Sequence, residues 1–168
     1  FKFNKEVIGA RFSSTGRHIV FWFNRENNLS LFDRMEGEMH QIDTPAPPTF
    51  VNFDAADKFI AFSMYDKRAV IYEIERLQEH LTTQAHQKHL TGLQFSNDSA
   101  RLITWESPVL EDETSQDDVY SVYLWDLVRK EQIGARLEHQ RTVFGVQSLQ
   151  GDTLLATWGF QDPIRVWD

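Results

Sequence analysis

The sequence predicts an all-β protein made of about four repeats of one four-stranded antiparallel sheet, and three observations predict it. Aromatic residues form 13% of the 168-residue chain, with 13 Phe and 5 Trp, and aromatic and β-branched side chains suit the pleated surface of a sheet. The chain also aligns on itself. "ARFSSTGRHIVFW" (Ala10 to Trp22) matches "VNFDAADKFIAFS" (Val51 to Ser63), "LQFSNDSARLITW" (Leu93 to Trp105) and "VQSLQGDTLLATW" (Val146 to Trp158). The third observation is that clusters of turn-forming residues fall between the apolar runs of each unit.

Two ladders of anchor residues set the period. Phe12, Phe53, Phe95 and Ser148 lie 41, 42 and 53 residues apart. Phe32, Tyr72, Trp125 and Trp167, in "LSLFD", "AVIYE", "VYLWD" and "IRVWD", lie 40, 53 and 42 apart. The ladders agree if about 11 extra residues sit between the two anchors of the third unit.

Unit one reads as "IGARFS", "HIVFWFN", "LSLFDR" and "EMHQID", separated by turns at 13–16, 24–28 and 35–38. Gly, Asn and Ser at those turns tolerate the conformations that reverse a chain. Unit two repeats the plan with "TFVNFD", "FIAFSMY" and "AVIYEIE". Its fourth segment, near Leu81-Thr82-Thr83, is weaker and follows "IERLQEHL", which is compatible with a helical turn. Pro45, Pro47 and Pro48 fall between the units, where the lack of an N–H costs no central ladder bond.

A period near 41, a turn after a Phe-Ser strand end and a closing Trp-Asp resemble the WD-repeat β-propeller family over essentially the whole chain. The resemblance implies blades of four antiparallel strands at roughly 7–43, 48–84, 89–137 and 142–168, with residues 1–6 as the outermost strand of another blade or of the last one. His86 and His139 stand nine residues before Phe95 and Ser148, at the position of the family's Gly-His pair, although Ala85 and Glu138 precede them; Phe3 and Thr44 occupy that position in units one and two. Thr104 and Thr157 match the family's inter-strand Ser or Thr, where Phe21 and Phe62 stand earlier. Asp66 matches the tight-turn Asp, with Glu26 and Gln161 at that place in units one and four, so no unit is expected to hold the full set. Four blades read this way are either incomplete or closed by the N-terminal strand or a partner. The Phe at position 1 suggests an excised or processed piece.

Composition limits the function. A net charge of -8 opposes general binding to nucleic acid or to anionic membranes, both of which need a basic face. With no cysteine there is no disulfide framework, thiol catalysis or Cys-ligated zinc. Neither a membrane-spanning stretch nor a signal peptide is present, which points to a cytoplasmic setting. No phosphate-cradling Gly-rich loop or G-x-S-x-G elbow occurs, and no carboxylate pair is placed by spacing, so no catalytic residue and no cofactor is expected. His86 and His89 form an H-x-x-H that nothing around it supports as a metal site. The acidic segment fits no EF-hand spacing.

Two features remain as candidate partner-binding residues. Trp22, Trp105 and Trp158 recur ten residues after the first anchor, either filling the gap between blades or lining a face that grips a peptide. The extra residues of unit three contain Glu111, Asp112 and Glu113, a solvated loop or a docking site for a basic partner. The expected function is a non-catalytic interaction scaffold for a protein, a peptide or the remainder of a propeller, with self-association through open blade edges. The alternative is a ligand-sensing or regulatory domain of a larger enzyme or signalling protein.

Overall fold

A computed structural model describes residues 1–107, 119–149 and 151–168, and it is all β with no helix among those residues. Sheet one is β1 (Val7–Phe12), β2 (His18–Phe23), β3 (Asn28–Asp33) and β4 (Glu38–Asp43), paired antiparallel in chain order. Sheet two repeats this with β5 (Pro48–Phe53), β6 (Phe59–Met64), β7 (Ala69–Glu73) and β8 (Gln78–Thr82). Sheet three has β9 (Leu90–Phe95), β10 (Arg101–Glu106) and β11 (Tyr120–Asp126). Its outer edge is shared by two short strands, β12 (Glu131–Gln132) and β13 (Leu137–His139). Sheet four has β14 (Val143–Leu149), β15 (Leu154–Gly159) and β16 (Asp162–Trp167).

The turns repeat as faithfully as the strands. Between first and second strands, Gly16, Asp57, Ser99 and Asp152 all take left-handed conformations, with φ of 74°, 55°, 58° and 66°. Asp and Ser tolerate that region through local hydrogen bonding, which is why the Gly of unit one is not needed elsewhere. The Asp that closes the third strand of sheets one and three also has a role. Oδ1 of Asp33 accepts the backbone N–H of Met35 at 2.8 Å and of Glu36 at 3.2 Å, and Asp126 does the same for Val128 and Arg129 at 2.8 Å each.

Each sheet packs its forward face on the rear face of the next. Val20, Leu29, Leu31 and Ile42 of sheet one meet Phe53, Ile60, Phe62 and Met64 of sheet two. Ala61, Ala69 and Ile71 meet Leu93, Phe95, Leu102 and Trp125 of sheet three. Ile103, Tyr120 and Val122 meet Val146 and Leu155 of sheet four. The first strand carries most of each contact: β5 touches β1 and β2, β9 touches β5 and β6, and β14 touches β10 and β11. No comparable contact joins the fourth strands, so the sheets fan outward from their first strands. Polar clasps between turns reinforce two of the interfaces. The Thr15 hydroxyl donates to Asp57, and the Asp152 carboxylate accepts the backbone N–H of Asn97 at 3.0 Å and of Asp98 at 2.9 Å.

Two expectations need correction. Residues 1–6 form no strand, so the fan is left incomplete within the described residues, one of the arrangements expected: β16 pairs with β15, and no strand among the described residues lies on its other edge. Instead Phe3 packs on Phe21 and Phe23, with ring centroids 4.9 and 5.2 Å apart, and Phe1 packs on Phe32 at 4.7 Å. The apolar rear face of sheet one gives the two rings aromatic partners that an edge position on β16 would not. The segment is the equivalent of the connections that carry His86 and His139. In unit two, "IERLQEHL" contains no helical turn. Leu77, at φ 48°, makes the hairpin, and β8 follows it directly.

Trp22, Trp105 and Trp158 each face a glycine across the first and second strands: Gly9, Gly92 and Gly145. A Cβ on these glycines would fall 2.1, 1.9 and 2.6 Å from the indole. Sheet two inverts the pair. Ser63 is small and buried, its hydroxyl accepts the Phe50 N–H at 3.1 Å, and the aromatic ring is supplied by Phe50 at the glycine position. Size is therefore exchanged across strands at constant volume. We predict that Gly92→Phe destabilises the protein by about 3 kcal/mol through overpacking. Adding Trp105→Ser recovers more than half of the loss in urea denaturation. A double variant no more stable than Gly92→Phe would show that the two positions are not coupled.

Candidate functional site

The second-to-third strand turns and the starts of the first strands lie at the same end of every sheet, because alternate strands run in opposite directions. This end collects exposed aromatic side chains. Phe144 and Phe160, 59% and 51% exposed, meet edge to face with centroids 6.3 Å apart. Phe50 and Tyr65 are exposed on sheet two, where Tyr65 meets His89 edge to face at 6.2 Å. The three tryptophans reach the same end in different settings. Trp22 and Trp105 pack partly buried against the interfaces of sheets one and two and of sheets three and four. Trp158 is 37% exposed on the forward face of sheet four. The sequence reading missed Phe50, Tyr65, Phe144 and Phe160, although Tyr65 and Phe160 each stand 12 residues after a first anchor and were countable from it.

Glu111, Asp112 and Glu113 lie outside the described residues. The glutamate that precedes them, Glu106, is not a surface acid. It is fully buried at the end of β10 and accepts hydrogen bonds from the backbone of Lys88 at 2.9 Å and of Ser121 at 3.1 Å, and from the Tyr123 hydroxyl at 3.3 Å. Those three donors compensate the cost of taking a carboxylate out of water.

Behind this surface runs the polar relay that the repeat positions encode. In sheet four Trp167 Nε1 donates to Thr157 Oγ1 at 2.9 Å, Thr157 meets His139 Nε2 at 3.1 Å, and His139 Nδ1 meets Asp162 Oδ2 at 3.0 Å. The turn acid of unit four is therefore Asp162, not Gln161, and unit four does hold the complete His, Thr, Asp and Trp set. Gln161 takes the left-handed turn position at φ 50°, which moves the carboxylate one residue on. In sheet three Trp125 Nε1 donates to Thr104 Oγ1 at 3.0 Å, Thr104 meets His86 Nε2 at 2.8 Å, and His86 Nδ1 meets the Lys67 carbonyl at 2.8 Å. A carbonyl or carboxylate only accepts, so each Nδ1 carries the proton and each Nε2 accepts from its threonine.

Asp66, the turn acid of unit two, has no histidine to meet. It pairs with Arg68 inside its own turn, at 3.0 Å from Nε. At the relay positions unit two has Thr44, Phe62 and Tyr72, and unit one has Phe3, Phe21 and Phe32, an aromatic cluster in place of hydrogen bonds. The exchange is tolerable in size: a buried hydrogen bond contributes about 1 kcal/mol net, and an aromatic pair about as much beyond its area.

The opposite end holds two grooves between turns. One, of about 710 Å³, lies between sheets two and three beside Phe59, His80 and Leu127; the other, of about 470 Å³, lies between sheets one and two beside Arg17, His18 and Asp57. Among the described residues no cluster of three or more His, Asp or Glu is placed to hold a metal ion, and no helix is long and apolar enough to cross a membrane.

No protein-family model and no curated protein sequence matches the chain. Solved structures do. The computationally designed Ika4 protein superposes with a TM-score of 0.72 at 17% identity, over 99% of this chain and 92% of that one. The WD40 repeats of RRP9 superpose with a TM-score of 0.71 at 18% identity, over 99% of this chain and 49% of that one. The likeness establishes the fold, propeller blades of WD40 type, and this chain spans about half the length of the RRP9 repeats.

Two outcomes follow from the relay. Thr157→Val leaves His139 Nε2 and the Trp167 indole N–H without their shared partner, and should cost about 2–3 kcal/mol in chemical denaturation. Burial pushes the His86 imidazole down to about 4, against the pull of its bond to the Lys67 carbonyl. The unfolded histidine binds its proton first, near pH 6.5. Stability should therefore be complete above about pH 6.5 and fall as pH drops towards about 4. Urea midpoints measured against pH should show this slope, and His86→Gln should flatten it.

Proposed function

We propose that the chain is a non-catalytic interaction platform of the WD-repeat type that binds a protein or peptide across its aromatic end. The observation that carries this reading is the exposed Phe144–Phe160 pair beside Trp158, with Phe50 and Tyr65 on sheet two. Large aromatic side chains supply most of the energy at protein interfaces. Here they stand on short hairpins held by packed sheets, so little ordering entropy is lost on binding. The acidic run Glu111, Asp112 and Glu113 is assigned the steering of a basic partner, while the partly buried Trp22 and Trp105 support the surface from below. The net charge of -8 disfavours nucleic acid and anionic lipid as partners. The WD40 likeness supports the platform reading through its fold alone.

Peptides selected by phage display on the immobilised 168-residue chain test it. Phe160→Ala and Trp158→Ala should each weaken the selected peptides by about tenfold or more, and Lys58→Ala, at the opposite end, should leave them unchanged. Replacing Glu111, Asp112 and Glu113 by Ala should weaken basic peptides, most at low ionic strength. Peptides insensitive to both aromatic substitutions would sink the proposal.

A further inference from the structure

The turn between first and second strands faces the same turn of the neighbouring sheet at all three interfaces, but a clasp is built at only two of them. The acid of each clasp stands four residues after the first anchor of the later sheet, and the donors stand two and three residues after the anchor of the earlier one. Asp57 meets the turn of sheet one through Thr15, and the Asp152 carboxylate takes the backbone N–H groups of Asn97 and Asp98, one on each oxygen. Between sheets two and three the acid position is Ser99, and the donor positions are Ala55 and Ala56. No hydrogen bond joins them among the described residues. The groove of about 710 Å³ opens there, and all three residues line it.

We propose that this groove binds a small organic acid, with its carboxylate on the Ala55 and Ala56 N–H groups and its apolar body over Phe59. The protein displays the recognition mode itself, because the Asp152 carboxylate is held that way one interface along. The two turns have the same build. Asp57 N–H closes on the Asp54 carbonyl at 3.4 Å and Ser99 N–H on the Ser96 carbonyl at 3.1 Å, and both closing residues are left-handed, at φ 55° and 58°. Successive N–H groups on such a turn make an anion-binding concavity. Among the described residues the Ala55 and Ala56 N–H groups have no acceptor in the protein. Lys58 supplies a cation: its ammonium lies over the Phe59 ring, 4.7 Å from the centroid, and no carboxylate among the described residues pairs with it. The acids that line the groove are engaged within their own turns. Asp54 Oδ1 accepts the Phe59 N–H at 2.7 Å, and Asp98 Oδ1 accepts the Ala100 N–H at 2.9 Å. Asp98 already carries the Asp152 carboxylate on its own N–H, so a second carboxylate beside it is tolerated. Leu127, Val128 and Ala100 add apolar lining, and His80 is held beside them by Nε2 donating to the Leu127 carbonyl at 2.7 Å. A groove of this volume suits a small molecule.

Titration of the isotope-labelled 168-residue chain with hexanoate, to about 10 mM and read by backbone amide resonances, tests this. The Ala55 and Ala56 resonances should move and saturate. Hexanamide, which has the same body without the charge, should bind at least about tenfold more weakly. Ser99→Asp restores the acid of the missing clasp at a left-handed position that Asp57 and Asp152 already occupy in their own turns. It should keep the circular dichroism of the parent chain and abolish the hexanoate shifts. Lys58→Ala should weaken hexanoate by about three- to fivefold. Phe160→Ala, at the aromatic end, should leave hexanoate binding unchanged, so the two surfaces are tested separately. Equal binding of acid and amide overturns the proposal, as do shifts that miss Ala55 and Ala56, the absence of any saturable shift, or undiminished binding by a folded Ser99→Asp chain. So does movement of these amides by acetyl-Leu-Glu-Leu-amide but not by hexanoate, which would make the groove a docking site for protein side chains.

Discussion

The structure depends on one constraint: each blade is a single sheet, and a single sheet cannot stay folded with both faces in water. Neighbouring blades stabilise one another because the forward face of one lies on the rear face of the next, and among the described residues the sheet-on-sheet core lies in three internal interfaces. This explains the composition of the inner strands. β6 reads "FIAFSM" and is buried at every residue, because both of its faces are interior. The alternation expected of a half-exposed strand is absent there for the same reason. The aromatic surplus of the sequence is the material of these interfaces.

Within that constraint the repeat tolerates wide chemical change. The positions occupied by His139, Thr157 and Trp167 in sheet four form a hydrogen-bonded relay. The same positions in sheet one are Phe3, Phe21 and Phe32 and form an aromatic cluster. What is kept is contact between the connection, the second strand and the third strand. A relay of buried donors and acceptors must be complete, and in sheets three and four it is. A partial set would leave a buried group unpaired, so an apolar replacement is stable only when it changes all the positions that touch. Sheet one makes that change completely. The inversion of Trp105 over Gly92 into Ser63 beside Phe50 follows the same rule for volume.

These exchanges leave one end of the fan rich in exposed rings, while the turns of the other end mix polar residues with exposed Met35 and Val128. The aromatic end is rigid because its side chains stand on turns held by left-handed residues such as Lys67 and Gln161 and by the relay beneath them. The turns at the opposite end are joined by clasps such as Asp152 on Asn97 and Asp98, so the ends differ in chemistry although both are built from the same hairpins.

Much of this was legible without coordinates. Periodicity and turn residues by themselves determined the all-β class, the repeat and most of the strands, because these depend on local pattern and spacing, while the positions of the relay followed from the resemblance to the WD-repeat family. The exceptions are instructive. Asp162 was hidden because the turn before it shifts the acid by one residue, and spacing alone assigned the place to Gln161. Residues 1–6 alternate like a strand, yet the apolar face of sheet one draws Phe1 and Phe3 onto itself. The tertiary structure alone decided which equivalent residues are surface and which are core. Phe12, Phe53 and Phe95 share one local pattern, but two are buried and one is exposed. Burial of a sheet face is a property of the neighbouring sheet, and no residue of the strand itself records whether that neighbour is there.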